Sequence, residues 1–244
     1  MLQPWYTKLY ADETYGDLEL QYEFEIEKLP EGDVYLAGER PETNHYMING
    51  IALTNEDPND FWIDDCFKKM KIPADALKVG QNIVTIHVNF MRSTNIEALY
   101  LIGDFGVSLD VRRCRLTELP KTIGCRNYEH YNLPFYTGSM TFHLTPEQYK
   151  DKLDFSKGDR IVLSPVNFTG SCGKVTFENK TQVLGWDPYE ADVTEAVRAL
   201  KPIDVTIVGT RQNLFEFHYQ QETDEYELLE SGLRGIALKN QIKK

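Results

Sequence analysis

Cysteine is scarce in this chain of 244 residues, and the four that occur, Cys66, Cys114, Cys125 and Cys172, stand singly. No two have the C-x-x-C spacing that brings thiolates onto one metal or one redox turn, so they read as free thiols. The five histidines, His45, His87, His130, His143 and His218, likewise lack an H-x-x-x-H spacing. Ser139 and Ser171 lie beside glycines but form no G-x-S-x-G elbow, and Gly-rich phosphate loops are missing. Long apolar runs are absent too: nothing approaches the roughly 18 residues of a membrane span. The start, Met1 to Tyr6, lacks the basic-then-apolar layout of a signal peptide. A cytoplasmic location is expected if Met1 is the native start, and an extracellular one if the chain is an excised module. Basic side chains are in deficit, 26 against 38 acidic, for a net charge of -12. That mean field repels phosphate backbones, so no nucleic acid and no membrane is expected as partner, while neutral or cationic ligands stay open.

What the chain has in quantity is period-two alternation. Leu18 to Glu27 alternates apolar and polar residues throughout, which predicts a strand with one dry and one wet face whose glutamates discourage sheet-to-sheet association. The same period returns in Val84 to Phe90, Met140 to Leu144 and Val205 to Ile207. Turn signals stand between them at Pro30-Glu31-Gly32-Asp33, Asn49-Gly50 and Lys157-Gly158-Asp159. Only Thr145 to Lys152 and Asp192 to Leu200 suggest helices, and those are short. Many short strands with few helices predict an all-β, sandwich or jelly-roll fold.

The pattern also occurs twice. Gly32-Asp33-Val34-Tyr35-Leu36 leads to Asn49-Gly50, then to Phe61-Trp62-Ile63, then to Ala76-Leu77-Lys78 and a closing strand through Ile86. Gly158-Asp159-Arg160-Ile161-Val162-Leu163 leads to Asn179-Lys180, then to Gly185-Trp186-Asp187-Pro188-Tyr189, then to Ala199-Leu200-Lys201 and a strand through Ile207. An offset of roughly 125 residues is about the size of one domain and predicts two tandem β-sandwiches. The seam is expected near Arg112 to Lys121, giving domains 1-117 and 118-244, with no flexible Gly/Ser linker between them.

The segments Asn132 to Phe142, Gly173 to Lys180, Trp186 to Thr194 and Val205 to Leu214 resemble the galactose-binding-like jelly roll that serves as a sugar-binding or accessory domain of bacterial glycoside hydrolases, of family 2 and of rhamnosidase-like enzymes. Asn49-Gly50 and Asn95 to Val107 look like the domain that precedes it near the carboxyl end of such enzymes. Residues 18 to 238 carry the resemblance. Related hairpins usually hold Asn-Gly where the second half has Asn179-Lys180. The barrel that bears the two catalytic carboxylates in such enzymes needs about 250 residues by itself and is not contained in this chain. The resemblance thus implies an accessory module pair that is not catalytic alone, whose parent or partner is a glycosidase. It also implies a structural calcium, whose ligands the sequence does not place.

Candidate chemistry follows from residue type. Glycoside hydrolysis needs two carboxyls roughly 5 to 10 Å apart, and pairs such as Asp64-Asp65 or Glu225 with Glu227 are too common in an acidic chain to inform. Aromatic side chains are more informative, because sugars present apolar C-H faces that stack on flat rings while polar neighbours bond their hydroxyls. Tyr128, Tyr131, Phe135 and Tyr136 open the second half; Trp186 and Tyr189, with Asp187 between them, occupy its aromatic loop; Trp62 is the equivalent in the first half. The expected carbohydrate-binding residues are therefore Tyr128, Tyr131, Trp186, Asp187, Tyr189 and Trp62. The alternative function is a structural or protein-interaction module in which these rings are core. A third reading, a small lyase, would use Tyr131 with His130 and Arg126.

Overall fold

A computed structural model of the chain describes residues 13–94, 96–110, 113–154, 160–215, 218–220 and 225–242. The turn expected at Lys157-Gly158-Asp159, Arg112 of the expected seam, and the side chains of His218 and Glu225 lie outside what is described. The fold is all-β. The backbone separates into two compact units, Met1–Gly106 with Arg113–Leu119, and Val107–Arg112 with Pro120–Lys244.

In the first unit, β1 (Thr14–Ile26) is the strand whose alternation was legible, and β7 (Gly80–Met91) pairs antiparallel with it from Thr14↔Met91 to Ile26↔Gly80. Its outward glutamates find cross-strand partners: Glu23 accepts from Gln81 at 2.7 Å and Glu25 from Arg115 at 3.2 Å. The remaining strands are β2 (Val34–Glu39), β3 (His45–Ile48), β4 (Ile51–Leu53), β5 (Phe61–Trp62), β6 (Asp64–Ile72), β8 (Tyr100–Ile102) and β10 (Arg113–Thr117), while β9 (Gly106–Asp110) lies where the chain passes to the second unit. One sheet is ordered β4-β3-β7-β1-β10 and the other β5-β6-β2-β8. Tyr46, Ile48, Leu53, Val84 and Ile86 from the first meet Val34, Leu36, Met70 and Ile72 from the second in one dry cluster. Each such side chain contributes about 1.5–3 kcal/mol by leaving water.

The second unit repeats the plan with β11 (Ser139–Leu144), β12 (Arg160–Thr169), β13 (Cys172–Phe177), β14 (Lys180–Leu184), β15 (Ala191–Asp192), β16 (Ile203–Val208) and β19 (Gly232–Gln241); a small hairpin of β17 (His218–Gln220) and β18 (Glu225–Glu227) precedes the last. Its sheets run β14-β13-β16-β11 and β15-β12-β19, the order of β4-β3-β7-β1 and β6-β2-β8 over again. Ile161, Leu163 and Leu233 face Val175, Val205 and Ile207, all at most 1% exposed. Helix is confined to single turns. The Thr145 amide donates to Gln148 Oε1 at the start of Pro146–Tyr149, and the Thr194 amide donates to Asp192 Oδ1 at the start of Thr194–Arg198.

The two hairpins differ in a way that corrects the alignment read from sequence. Ile48 pairs with Ile51 around Asn49-Gly50, both at positive φ, the turn that Asn-Gly favours. In the second unit Phe177 pairs with Lys180, so the turn residues are Glu178 and Asn179 rather than Asn179 and Lys180, and Glu178 takes the positive φ of 48°.

The first hairpin is pinned from inside. Asn82 is 0% exposed, and its amide donates to Lys78 O at 2.7 Å and Gly80 O at 2.9 Å. Its Oδ1 accepts from the Lys78 amide at 3.1 Å and from Asn49 Nδ2 at 2.8 Å. Asn49 in turn donates to Ala76 O at 2.8 Å and accepts from the Ile83 amide at 3.0 Å. Removing one member strands the rest without water, because a buried unpaired polar group costs about 1–3 kcal/mol. Asn82→Ala is expected to destabilise the first unit by about 2–4 kcal/mol, read as an earlier urea midpoint. A midpoint equal to wild type would show that the network carries no net stability.

Candidate functional site

Trp62 ends β5 and packs on the outer face of its sheet. Its ring lies 4.9 Å from Tyr100 and 6.5 Å from Phe67, and Phe67 meets Tyr100 edge-on at 5.3 Å. Tyr100 reaches this face from β8, beside Ala37, and Phe67 from opposite Glu39. Next to them Lys69 sits over the Tyr35 ring, 4.9 Å from its centroid, and pairs with Asp60 at 2.7 Å. This is an aromatic patch on a flat sheet, with Trp62 partly covered by its neighbours.

The carboxylates beside it have structural employment. Asp64 accepts from the Cys66 amide at 3.1 Å, a bond that holds its pKa below the usual range, and Asp65 pairs with Lys68 at 2.6 Å. Asp33 is lowered by the Lys71 ammonium beside it, and Glu147 by the backbone amide and Thr145 hydroxyl at its helical turn. For Asp192, burial pushes upward but bonds from Thr194 and Arg160 outweigh it. None of Asp33, Asp64, Glu147 and Asp192 has the raised pKa of a glycosidase general acid.

In the second unit the strand ends gather five connections at one end: the loops before β11, between β12 and β13, between β14 and β15, after β16, and before β19. Cross-links tie four of them together. Ser171 Oγ donates to Gly209 O at 2.9 Å, and the Gly209 amide donates to Gly138 O at 3.2 Å. Asn213 is the main latch, donating to Pro134 O at 3.2 Å and Leu229 O at 2.8 Å and accepting from the Leu229 amide at 2.9 Å. Sequence reasoning gave Asn213 no role; only its position after a strand, in Thr210-Arg211-Gln212-Asn213, hinted at turn chemistry.

The predicted aromatics divide at this end into buried and open. Tyr128 lies in the 3-10 turn Tyr128–Tyr131, is 2% exposed, and meets Tyr136 edge-on at 6.2 Å. Its ring offers no face to a ligand, and burial pushes its hydroxyl pKa well above the ordinary range. Tyr131 is half-buried, with its hydroxyl accepting from the Gly124 amide at 2.9 Å. Trp186, by contrast, is 79% exposed directly after β14. Asp187, also exposed, joins it to Pro188 through a cis peptide, and Tyr189 rests edge-on against Phe168 at 4.9 Å with 37% of its surface open. Tyr136 is 39% exposed, its hydroxyl donating to Ser139 O at 3.1 Å. The end of the second unit thus displays Trp186 and Tyr189 on one loop and Tyr136 on another, the latter held by hydrogen bonds from Gly209 and Asn213.

Among the described residues no group of three or more His, Cys, Asp or Glu side chains is arranged to hold a metal ion, and no helix is long and apolar enough to cross a membrane. The four cysteines are free.

No family model and no curated protein matches this chain. Among solved structures, one that it matches is Streptomyces avermitilis α-L-rhamnosidase complexed with L-rhamnose, at a TM-score of 0.32 and 9% identity, over 94% of this chain and 27% of that one. The chain therefore spans about a quarter of that enzyme's length.

Cys66, on the rim of the first unit's aromatic patch, gives a pH-dependent handle. Burial of the sulfur, then its bonds to the Asp64 and Glu39 carboxylates, push the thiol up to about 12 from 9.0. Both causes disfavour the anion, so at pH 8 the thiolate fraction lies well below an ordinary cysteine's. Iodoacetamide labelling of Cys66, followed by peptide mass spectrometry, should climb about tenfold per pH unit up to pH 10. A plateau near pH 9 would show that neither burial nor the carboxylates raise it.

Proposed function

We propose that this chain is a non-catalytic accessory module of a glycoside hydrolase system, binding carbohydrate at the loop end of its second unit. The observation that carries this reading is Trp186: an indole with most of its surface in water costs solubility, and a flat, open ring beside a carboxylate suits the apolar face and hydroxyls of a sugar. Tyr189 and Tyr136 supply further rings at the same end, and Asp187 supplies hydrogen-bond acceptors. The sequence resemblance to galactose-binding-like domains supports the same reading. A shallow site of this kind contributes substrate enrichment rather than bond cleavage.

A second reading, a brace or protein-interaction module, is favoured by Tyr128, which is core, and by Trp62, which is packed among Phe67 and Tyr100. In that case the exposed rings would contact a catalytic domain instead of a glycan.

A glycan-array screen followed by calorimetry separates the two. On the carbohydrate reading, Trp186→Ala weakens binding to the best glycan at least about tenfold while Tm stays within about 1 °C, since exposed substitutions rarely perturb folding. No binding by the folded wild type, or binding indifferent to Trp186→Ala, would sink the reading. Tyr128→Ala is no test of binding, because it empties the core.

A further inference from the structure

The four-stranded sheet of the second unit ends in β11, and among the described residues no strand pairs with the far side of it. The bonds of β16 fix which groups are left over. On one side of β16 the Gly209 amide donates to Gly138 O at 3.2 Å, and on the other Val208 O accepts from the Ser171 amide at 2.8 Å. The β11–β16 register runs without a bulge from Ser139↔Val208 to Leu144↔Ile203. Alternation along an antiparallel ladder then gives Met140, Phe142 and Leu144 to β16 and turns the amides and carbonyls of Ser139, Thr141 and His143 outward. Ser139 O fits this parity, since it accepts from the Tyr136 hydroxyl at 3.1 Å. The outward groups of Thr141 and His143 meet no backbone partner among the described residues.

Strand edges left open in native proteins are short, charged, bulged or interrupted by proline. The other terminal strands of this unit follow that rule: β15 has two residues, β14 opens on Lys180, and β19 carries Arg234 and Lys239. β11 has six residues in regular register with no proline, carboxylate or ammonium. Beside it, between β11 and β19, lies a cavity of about 580 Å³ lined by Phe142, Leu144, Tyr149, Leu153, Ile236 and Leu238 among others. A strand laid on β11 extends the sheet across that side. We infer that β11 is a self-association edge, which pairs antiparallel with β11 of a second copy about a twofold axis at Phe142. The outward groups select this occupant because they are symmetric about Phe142. Turning a copy by half a revolution brings Thr141 opposite His143 at both ends, so each outward amide meets a carbonyl. The side chains that meet are a hydroxyl and an imidazole, so a chain with a net charge of -12 brings no carboxylate of β11 into the contact. Two four-stranded sheets then continue as one of eight, within the range of natural sheets. The inference does not depend on whether the loop end binds a sugar.

Sedimentation equilibrium of the full chain over about 1–100 μM reads this directly. Wild type is expected to shift reversibly toward twice the chain mass, and monomer mass throughout overturns the inference. Two double variants locate the contact. Both place a lysine at the exposed His143, where it keeps Asp204 as neighbour. Thr141→Lys with His143→Lys sets like charges opposite one another at both cross-strand positions and should weaken the dimer at least about tenfold. Thr141→Glu with His143→Lys sets opposite charges there and should dimerise at least as tightly as wild type. Equal dissociation constants for the two variants, both folded by circular dichroism, would show that the dimer uses another surface and overturn the assignment. Hydrogen exchange on wild type needs no substitution: the Thr141 and His143 amides should exchange more slowly as concentration rises, and rates independent of concentration overturn the pairing.

Discussion

The polar atoms that the backbone carries into the core set the terms for everything else in these two units. Each unit is a pair of sheets around a dry interior, and a chain that crosses from one sheet to the other must bring its amides and carbonyls with it. In the first unit Asn82, with no exposed surface, answers this for the connection between β6 and β7, and Asn49 extends the answer to the β3–β4 hairpin. In the second unit the work is divided. Asp192 and Thr194 fix the crossover beside β12, Asn127 fixes the approach to β19, and Asn213 latches the loops at the opposite end from the Phe177–Lys180 turn. Apolar burial supplies the larger free energy, but it is indifferent to which loop lies where. The side-chain amides are directional, and they decide the loop positions on which a binding site depends.

The strands were legible because their signal is local and redundant. Leu18, Leu20, Tyr22, Phe24 and Ile26 repeat one instruction at every second position, and the pairing with β7 continues N-terminal to the alternating stretch, as far as Thr14. The internal repeat was legible for a related reason, since the same strand order places the same kinds of residue at the same steps. The hairpin of the second unit was misaligned by one residue, because Asn beside Lys looks like a turn centre whereas the flanking Phe177 and Lys180 set the register. Nothing in the residue Glu178 announces a left-handed backbone.

The site was less legible, because aromatic type alone does not tell core from surface. Tyr128 and Trp186 looked equally suitable as stacking platforms in sequence, yet one is sealed and the other is open. The difference is made by non-local contacts. Tyr128 is buried by Tyr136 and the strand start at Gly232, which lies more than a hundred positions away in the chain. Trp186 sits in the connection between β14 and β15, outside the core that Leu184 and Ala191 close on either side of it. Asn213 was passed over because its value lies in three bonds to Pro134 and Leu229, which no local pattern encodes.

Binding and catalysis make different demands on such a loop end. A catalytic acid needs a carboxyl held neutral near pH 7, which calls for burial away from donors. Among the described residues the carboxyls with shifted pKa values have the opposite surroundings, each pulled downward by amides, hydroxyls or cations. A stacking site needs rigid rings and pre-positioned loops, and loses affinity mainly through whatever motion it must freeze. The bonds of Ser171, Gly209 and Asn213 restrain the neighbouring loops, including the one that carries Tyr136. With few rings in play, the proposed site is weak by itself. Affinity in such a system grows by linkage to a second binding surface on the same polypeptide or assembly, where effective concentration does what one shallow site cannot.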